Sequence, residues 1–545
     1  MTREDFLSRR LDFFQRIARS LANNRSHFSI RARLHLGASL TVLVLVPNMA
    51  LAQSATSDAA GASYPRFFLD PAPFLDSWTP PAGAGSGASE APAADAQAAG
   101  ASAQPKSTSE SVPANPNARS GLVTSGILQK SLGLSADAPL QVGGMASFIG
   151  NRLTSGGLKP YTDSGERNFG FNTALDMERL FPFAPIPGAE LYSAMIQYEG
   201  GRGPQYAGSV QIYDSVNAWS DKYHYRLELY EVWWRQRLFD DKLIVKVGKI
   251  NGAAEFDQVL SPPTIPQEPS RASWTISDLL YAPVGLNPTL FGRLPAWADS
   301  AWGATVKVMP TSAVYGSYGF FDGNAARGQA TGPRLGPDLN DYKFQIAEGG
   351  LSWQLGEEAK PGRVAAGVWK QTGLLNTGML DPEGGGVLKE HGAKGVYALG
   401  SQRLWYLTDT DSRGLVGWAQ FGYSPSSTNE VQRYFGAGLT ALGLIPTRYA
   451  DTISFGFAWS RLNSGPIAGA VWASDLIPPW GWTSSPYAVE TRLRSTERMV
   501  QVAYRLNLVP GKIVLDAGYT AIPNPGYRPG IPWANVFTVR TFLVF

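Results

Sequence analysis

The stretch Asn535–Phe545, N-V-F-T-V-R-T-F-L-V-F, decides the fold prediction for this chain. Every second residue of it belongs to a mostly apolar set: Phe537, Val539, Thr541, Leu543 and Phe545. Thr538 and Arg540 lie on the opposite parity. Because successive side chains of a strand point to opposite faces, this period of two predicts a β-strand with one apolar face.

The same alternation recurs from residue 121 to the end of the sequence. In Leu415–Tyr423, the residues Leu415, Ala419 and Phe421 share a face, and Gln420 lies opposite. Leu243–Val247 alternates in the same way. These segments are about ten residues long and are separated by Gly, Pro, Asn and Asp, which is typical of membrane-spanning strands and their turns.

The connections between these segments differ in length. The segments 239–242, 309–312 and 509–512 are predicted tight turns, whereas residues 251–298 form a long connection with seven prolines. Short turns at one end and long loops at the other predict an up-and-down, antiparallel transmembrane β-barrel. Aromatic residues near the predicted strand ends are expected to form girdles at the membrane surface, namely Trp233, Trp234, Trp418, Trp459, Tyr519 and Phe537.

The composition excludes several classes of protein. With 545 residues, 17% charged residues and a mean hydropathy of −0.14, the chain lacks the long apolar runs of a helical transporter. There is no cysteine and there are four scattered histidines, so we expect no disulfide, metal site or cofactor. Beyond residue 52 the chain carries 39 basic and 41 acidic residues, which does not indicate a nucleic-acid partner. The sequence contains no nucleophile elbow, P-loop or H-E-x-x-H motif, so no motif of these kinds predicts an enzyme.

The first 120 residues have a different composition. The run of 11 residues Leu36–Val46 follows Arg31 and Arg33 and precedes Ala50-Leu51-Ala52, which predicts a signal peptide over 1–52 that is removed near Ala52. The run would span about 16 Å as a helix, against about 30 Å for a bilayer, so a membrane anchor is the less favoured alternative. Residues 53–120 are rich in Ala, Pro, Gly and Ser and are predicted to be a disordered tether before the barrel domain, 121–545.

Several motifs occur in order along the barrel region: Gly156-Gly157-Leu158, Asn172–Leu180, Tyr230–Gln236, Val247-Gly248-Lys249, Glu255-Phe256, Phe320–Asn324, Gly438–Asp451 and Ile522–Gly526. On these residues the region from about 125 to 545 resembles the carbohydrate-selective porins of the OprB type. The resemblance implies an outer-membrane porin for passive diffusion of glucose and similar small sugars. It also implies contact with outer-membrane lipid and the barrel assembly machinery, as a monomer or a homotrimer.

One predicted strand is the best candidate for a substrate-contacting part of the lumen wall. About 425 residues, at about 26 per strand and connection, give a barrel of roughly 16 strands, which is wide enough for a channel. In the segment 223–234, Arg226, Glu228 and Tyr230 lie opposite Leu227 and Leu229. Since charge facing lipid is costly, Arg226 and Glu228 are predicted to face the lumen. There they either contact the permeating sugar or form an ion pair that braces the wall.

Further candidates carry the same two alternatives. Arg235, Lys246 and Lys249 are predicted lumen cations. Arg293 lies in the proline-rich connection, which either folds inward as a constriction or remains an ordinary extracellular loop. Finally, Leu543 and Phe545 are predicted to form the C-terminal signal for barrel assembly.

Two other functions remain open on the sequence alone. Residues 120–545 carry 36 basic and 35 acidic side chains, so bulk charge does not separate a sugar porin from a general or anion-preferring porin. An exported passenger followed by a secretion barrel is less favoured, because the segment before residue 121 is short and featureless.

Overall fold

The computed structural model describes most of the chain from residue 122 onward. The described ranges are 122–200, 203–213, 225–261, 264–265, 279–380, 387–407, 413–463, 496–526 and 530–545. The predicted signal peptide and tether lie outside the described residues and stay predictions.

The described residues form sixteen antiparallel strands that close into a single barrel. The strands are β1 (Leu140–Ser155), β2 (Asp163–Asp176), β3 (Ala189–Gly200), β4 (Tyr225–Leu238), β5 (Leu243–Ile250), β6 (Ala301–Thr311), β7 (Val314–Asp322), β8 (Lys343–Leu355), β9 (Lys360–Leu380), β10 (Val387–Tyr406), β11 (Gly414–Tyr423), β12 (Val431–Leu442), β13 (Thr452–Leu462), β14 (Thr496–Val509), β15 (Ile513–Ile522) and β16 (Ala534–Val544). Each strand pairs with its neighbours in sequence, and β1 pairs with both β2 and β16. The predicted up-and-down barrel of about 16 strands is confirmed.

Helices are short in the described part of the chain. They are α1 (Ile127–Ser131), α2 (Met177–Leu180), α3 (Gly203–Ala207) and four 3₁₀ turns at Gly252–Ala254, Ala282–Val284, Pro288–Leu290 and Asn324–Arg327. None of these described helices is long and apolar enough to cross a membrane.

The last strand closes the barrel with the alternation that its sequence predicts. Phe537 and Leu543 are exposed on the outer face of β16, and Thr538 and Arg540 are buried on its inner face. Beyond the end of β16, Phe545 exchanges two main-chain hydrogen bonds with Gly144 of β1, with N–O distances of 2.9 and 3.0 Å. The apolar face of the terminal segment is therefore the outer surface of the barrel.

The two ends of the barrel differ as predicted. At one end, short turns join β4 to β5, β6 to β7 and β14 to β15. Gly511 has φ +70 in the last of these turns, a left-handed conformation that glycine adopts without steric cost. The longer connections, such as those between β5 and β6 and between β7 and β8, lie at the opposite end.

The described parts of the proline-rich connection between β5 and β6 fold into the barrel. The Asp257 main-chain N–H donates to Glu348 Oε2 on β8 at 2.9 Å, and Asn287 Nδ2 donates to the Phe421 carbonyl on β11 at 3.0 Å. The Leu280 N–H donates to Gln501 Oε1 on β14 at 2.5 Å. A single connection thus reaches three separated parts of the inner wall, which favours the alternative in which this loop folds inward.

The predicted aromatic girdle is correct in part. Tyr519 and Phe537 are exposed on the outer face, but Trp233 and Trp418 are buried on the inner face. Trp418 shares its parity with the buried Gln420. Trp233 faces inward because the pairing of β3 with β4 skips Tyr230, and a one-residue bulge moves every later side chain to the other face.

Candidate functional site

A bulge in β4 concentrates polar side chains on one stretch of the inner wall. Before the bulge at Tyr230, the even-numbered Arg226 and Glu228 face inward. After it, the odd-numbered Glu231 and Arg235 face inward, and all five residues are buried. One strand therefore contributes four charged groups and a phenol to the interior.

The first cluster joins this wall to the connection between β5 and β6. The Arg226 guanidinium donates to Glu228 Oε2 from Nε at 3.0 Å and from Nη2 at 2.7 Å. Nη2 also donates to Asp299 Oδ1 at 2.9 Å. The side chains of Arg226 and Glu228 are 4% and 2% exposed, whereas that of Asp299 is 23% exposed. The loop carboxylate is thus the member of this cluster that solvent, and hence a solute, can reach.

The connection between β7 and β8 completes this cluster. The Gly332 N–H donates to Asp299 Oδ1 at 3.1 Å. Lys249 Nζ donates to the Leu229 carbonyl at 2.5 Å and to the Gly332 carbonyl. A Cβ at position 332 would lie 2.2 Å from Arg226 Nη2, so only glycine permits this approach.

Aromatic rings border the same cluster. The Arg226 guanidinium lies over the Tyr198 ring, 5.0 Å from its centroid. The rings of Tyr230 and Trp297 meet edge to face at 5.2 Å, and those of Tyr198 and Trp297 are 6.5 Å apart. Charged hydrogen-bonding groups therefore stand beside apolar ring faces, a combination that suits a ligand with both hydroxyls and apolar faces.

A second cluster lies nearer the short-turn end. Arg235 Nη2 donates to Glu190 Oε2 at 2.7 Å, and Lys246 pairs with the loop residue Glu255. Lys246 Nζ lies 4.1 Å from the centroid of the Trp233 ring. Burial raises the pKa of Glu255, but the ammonium of Lys246 outweighs it, so that this pKa lies below its ordinary value. A loop carboxylate is again held by a cation of the wall.

Arg293 belongs to neither cluster. It donates to Asn429 Oδ1 at 3.2 Å, to the Thr428 carbonyl at 2.6 Å and to the Ala326 carbonyl at 3.4 Å. Burial lowers the pKa of Arg293 to about 10, so it stays a cation at neutral pH. The residue joins three connections to one another.

The structure brings the predicted site residues together only in part. All seven predicted residues are buried; Arg226, Glu228 and Lys249 share the first cluster, and Arg235 and Lys246 share the second. Sequence reasoning missed the loop residues Asp299, Glu255 and Trp297, because no periodicity indicates where a loop folds. It also missed Glu231, although charges on both parities of one strand indicate a change of face.

The sequence model of the carbohydrate-selective porin, OprB family, matches residues 162–545, which is more than half of the chain. The chain belongs to the OprB family. Its sequence has no significant match among curated proteins.

A solved structure shares the fold. The high-pH structure of OprB from Pseudomonas putida is similar with a TM-score of 0.61 and 20% identity, covering 77% of this chain and 97% of that chain. The low-pH structure of the same protein has a TM-score of 0.43 and 16% identity, and the match covers 74% of this chain and 92% of that chain. The structure of OccK11 (OpdR) from Pseudomonas aeruginosa has a TM-score of 0.35 and 10% identity, and the match covers 74% of this chain and 94% of that chain.

As a member of the OprB family, the protein is a carbohydrate-selective porin of the outer membrane. Family and fold make it a channel. The general or anion-preferring porin and the secretion barrel are not favoured. In such barrels the short turns are periplasmic and the long loops extracellular, which orients the strands.

Proposed function

We propose that glucose and similar small neutral sugars pass beside the loop that carries Trp297 and Asp299. The observation that carries this proposal is the position of Asp299, whose carboxylate is held by the buried Arg226 and yet remains partly exposed. The loop that presents it folds inside the barrel rather than over its mouth.

The chemistry of this loop suits a sugar. A sugar hydroxyl both donates and accepts, so it can donate to Asp299 Oδ2 while Oδ1 stays bonded to Arg226 and Gly332. The half-buried Trp297 offers an indole face to the apolar side of a sugar ring. Permeation requires binding that is weak enough for release, and one exposed carboxylate beside one ring meets that requirement.

The residues predicted from the sequence act mainly as positioning residues in this proposal. Their burial supports the alternative in which the ion pair of Arg226 and Glu228 braces the constriction. Lys249 holds the Gly332 carbonyl, and Lys246 holds Glu255. The remaining predicted residues support the loops: Tyr230 contacts Trp297, Arg235 binds Glu190, and Arg293 joins the connections.

The proposal involves no catalytic step and no cofactor. It includes the assembly machinery as a partner that recognises the terminal segment with Leu543 and Phe545. In the folded barrel the Phe545 ring lies against Gly144 and stacks on the Phe169 ring, with 5.5 Å between the ring centroids. The ring thus packs at the junction of the first and last strands.

Liposome swelling tests the selectivity for sugars. Vesicles that contain the protein should swell faster in glucose than in an aliphatic, neutral amino acid of similar mass, because only the sugar offers several hydroxyls to the carboxylate together with an apolar ring face to Trp297. Equal swelling rates in the two solutes would mean that the channel selects by size alone.

A further inference from the structure

We propose that the outward face of β9–β14 binds a phosphate-bearing lipid of the extracellular leaflet through a belt of cations. Five exposed side chains form this cationic belt: Lys370, Lys394, Arg433, Arg461 and Arg498. Each has the parity of the outward residues on its strand. The three arginines lie close to the extracellular ends of β12, β13 and β14. The two lysines lie at the level where the neighbouring strands β8 and β11 end.

The register brings like charges directly opposite one another. Lys370 of β9 pairs with Lys394 of β10, and Arg433 of β12 pairs with Arg461 of β13. Arg498 pairs with Trp459, which is two residues from Arg461 along β13. Like charges opposite each other across two strands destabilise a sheet. An anion bound between them would relieve this repulsion.

The described residues on the outward face of β9–β14 supply no anion to this belt. Among the described residues, none of the five cations forms an ion pair. The exposed carboxylate on these strands, Glu390 of β10, lies beyond a register shift, pairs with the buried Leu375 and accepts a hydrogen bond from Ser427. The contact of the Arg433 guanidinium with the Tyr423 ring, 5.6 Å from its centroid, involves an uncharged group.

The opposite side of the barrel shows how outward charges are otherwise balanced. On β1–β3, Arg152 pairs with Asp163 at 2.6 Å, and Arg167 pairs with Glu199 at 3.0 Å. These cations are also exposed at the extracellular end, yet each has a carboxylate. The cations of the belt have no such partner among the described residues, which favours an external anion.

An apolar groove on the outward face of β6–β11 extends below the two lysines and indicates the chemical class of the anion. The groove has a volume of about 840 Å³, and its floor includes Gly316, Gly349, Ala366 and Ala398, between the rings of Tyr318 and Phe421. Ala366 is four residues from Lys370 along β9, and Ala398 is four residues from Lys394 along β10, which is about 13 Å in each case. The belt would bind the phosphates of an anionic lipid such as lipid A, and the groove would hold its acyl chains.

The test measures retention of bisphosphorylated lipid A by the purified full-length porin in detergent, using native mass spectrometry. The double variant Lys370→Gln/Lys394→Gln should retain lipid A about tenfold less than the wild type. Arg152→Gln, which removes an exposed cation that already has a carboxylate, is the matched control and should retain it like the wild type. Lipid A should raise the unfolding temperature of the wild type and not that of the double variant.

Without lipid, the double variant should unfold at the same temperature as the wild type or higher, since a like-charge pair is removed; a folding defect therefore cannot explain the loss. Undiminished retention by the double variant would overturn the proposal, as would an equal loss in Arg152→Gln. Competition by inorganic phosphate as strong as that by lipid A would assign the belt to a free anion. If the wild type is oligomeric and the double variant is monomeric, while both retain lipid A equally, the face would be assigned to a second copy of the chain.

Discussion

Arg226 on β4 and Asp299 on the connection before β6 form an ion pair of 2.9 Å between Nη2 and Oδ1, although 73 residues separate them in the sequence. The arginine is buried against Glu228, and the aspartate is partly open to the lumen. Because the guanidinium binds both carboxylates, it fixes the loop to the wall at the point where we propose that a sugar passes.

Replacing Arg226 should change the ion preference of the channel. Arg226→Ala removes one positive charge from a narrow passage and leaves Glu228 and Asp299 without their guanidinium, so selectivity should shift towards cations. The reversal potential in a salt gradient measures this shift. Arg152→Ala is the control, because that arginine faces outward and should leave the potential unchanged. An identical reversal potential for Arg226→Ala and the wild type would place the pair away from the ion path.

The glycine beside this ion pair offers a test of geometry without a change of charge. In Gly332→Ala, the added methyl group would overlap Arg226 Nη2, so the loop or the guanidinium must move and sugar block of the current should weaken. Gly336→Ala is a matched control in the same connection, because nothing lies within 4 Å of its added methyl. Equal behaviour of the two variants in sugar-titrated conductance would contradict the proposed constriction.

Much of the barrel could be predicted from sequence because a strand between lipid and a polar interior must alternate. That requirement is met in β16, where Phe537 and Arg540 take opposite faces as predicted. It fails at Trp233, because the bulge at Tyr230 reverses the parity and no local preference marks the skipped residue. The charged residues after the bulge were the available signal, since strict alternation would have turned Glu231 and Arg235 towards lipid.

The loop half of the site could not be predicted. Asp299 and Trp297 lie in a connection without periodicity, and their positions depend on contacts with strands far away in sequence. Asn287, for example, bonds to Phe421, 134 residues further along the chain. The sequence therefore indicated the cations of the wall but not the loop carboxylates that they hold.

A half-buried carboxyl group in an extracellular connection should make stability depend on pH. Burial, together with the carboxylate of Glu497, raises the pKa of Glu430 from 4.5 to about 8. Between these values the folded state keeps a proton that the unfolded state has lost, so stability should fall as the pH rises towards 8. Glu430→Gln should reduce this fall when unfolding temperatures in detergent are compared between pH 5 and pH 9. The exposed Glu357→Gln is the control, and an unaltered pH dependence in Glu430→Gln would refute the assignment.

The terminal ring should matter more for assembly than for conduction. Phe545→Ser removes the stacking on Phe169 and the contact with Gly144, but leaves the main-chain bonds of the terminal residue in place. We expect less heat-modifiable barrel in the outer membrane and an unchanged conductance in the protein that assembles. Phe537→Ser, on the outer face of β16, is the control and should have the smaller effect. A larger loss in that control would argue against a special role of the terminal residue.

The most direct test of the account is glucose-titrated single-channel current for the wild type and Asp299→Asn. The amide keeps the shape of the side chain but removes the charge that a sugar hydroxyl would bind, and a hydrogen bond to a charged group contributes about 1.5–3 kcal/mol. We predict that glucose blocks the wild-type current and that Asp299→Asn weakens this block about tenfold, with the open channel still conducting. An unchanged glucose block in a fully assembled Asp299→Asn barrel would contradict the claim that this loop carboxylate contacts the sugar.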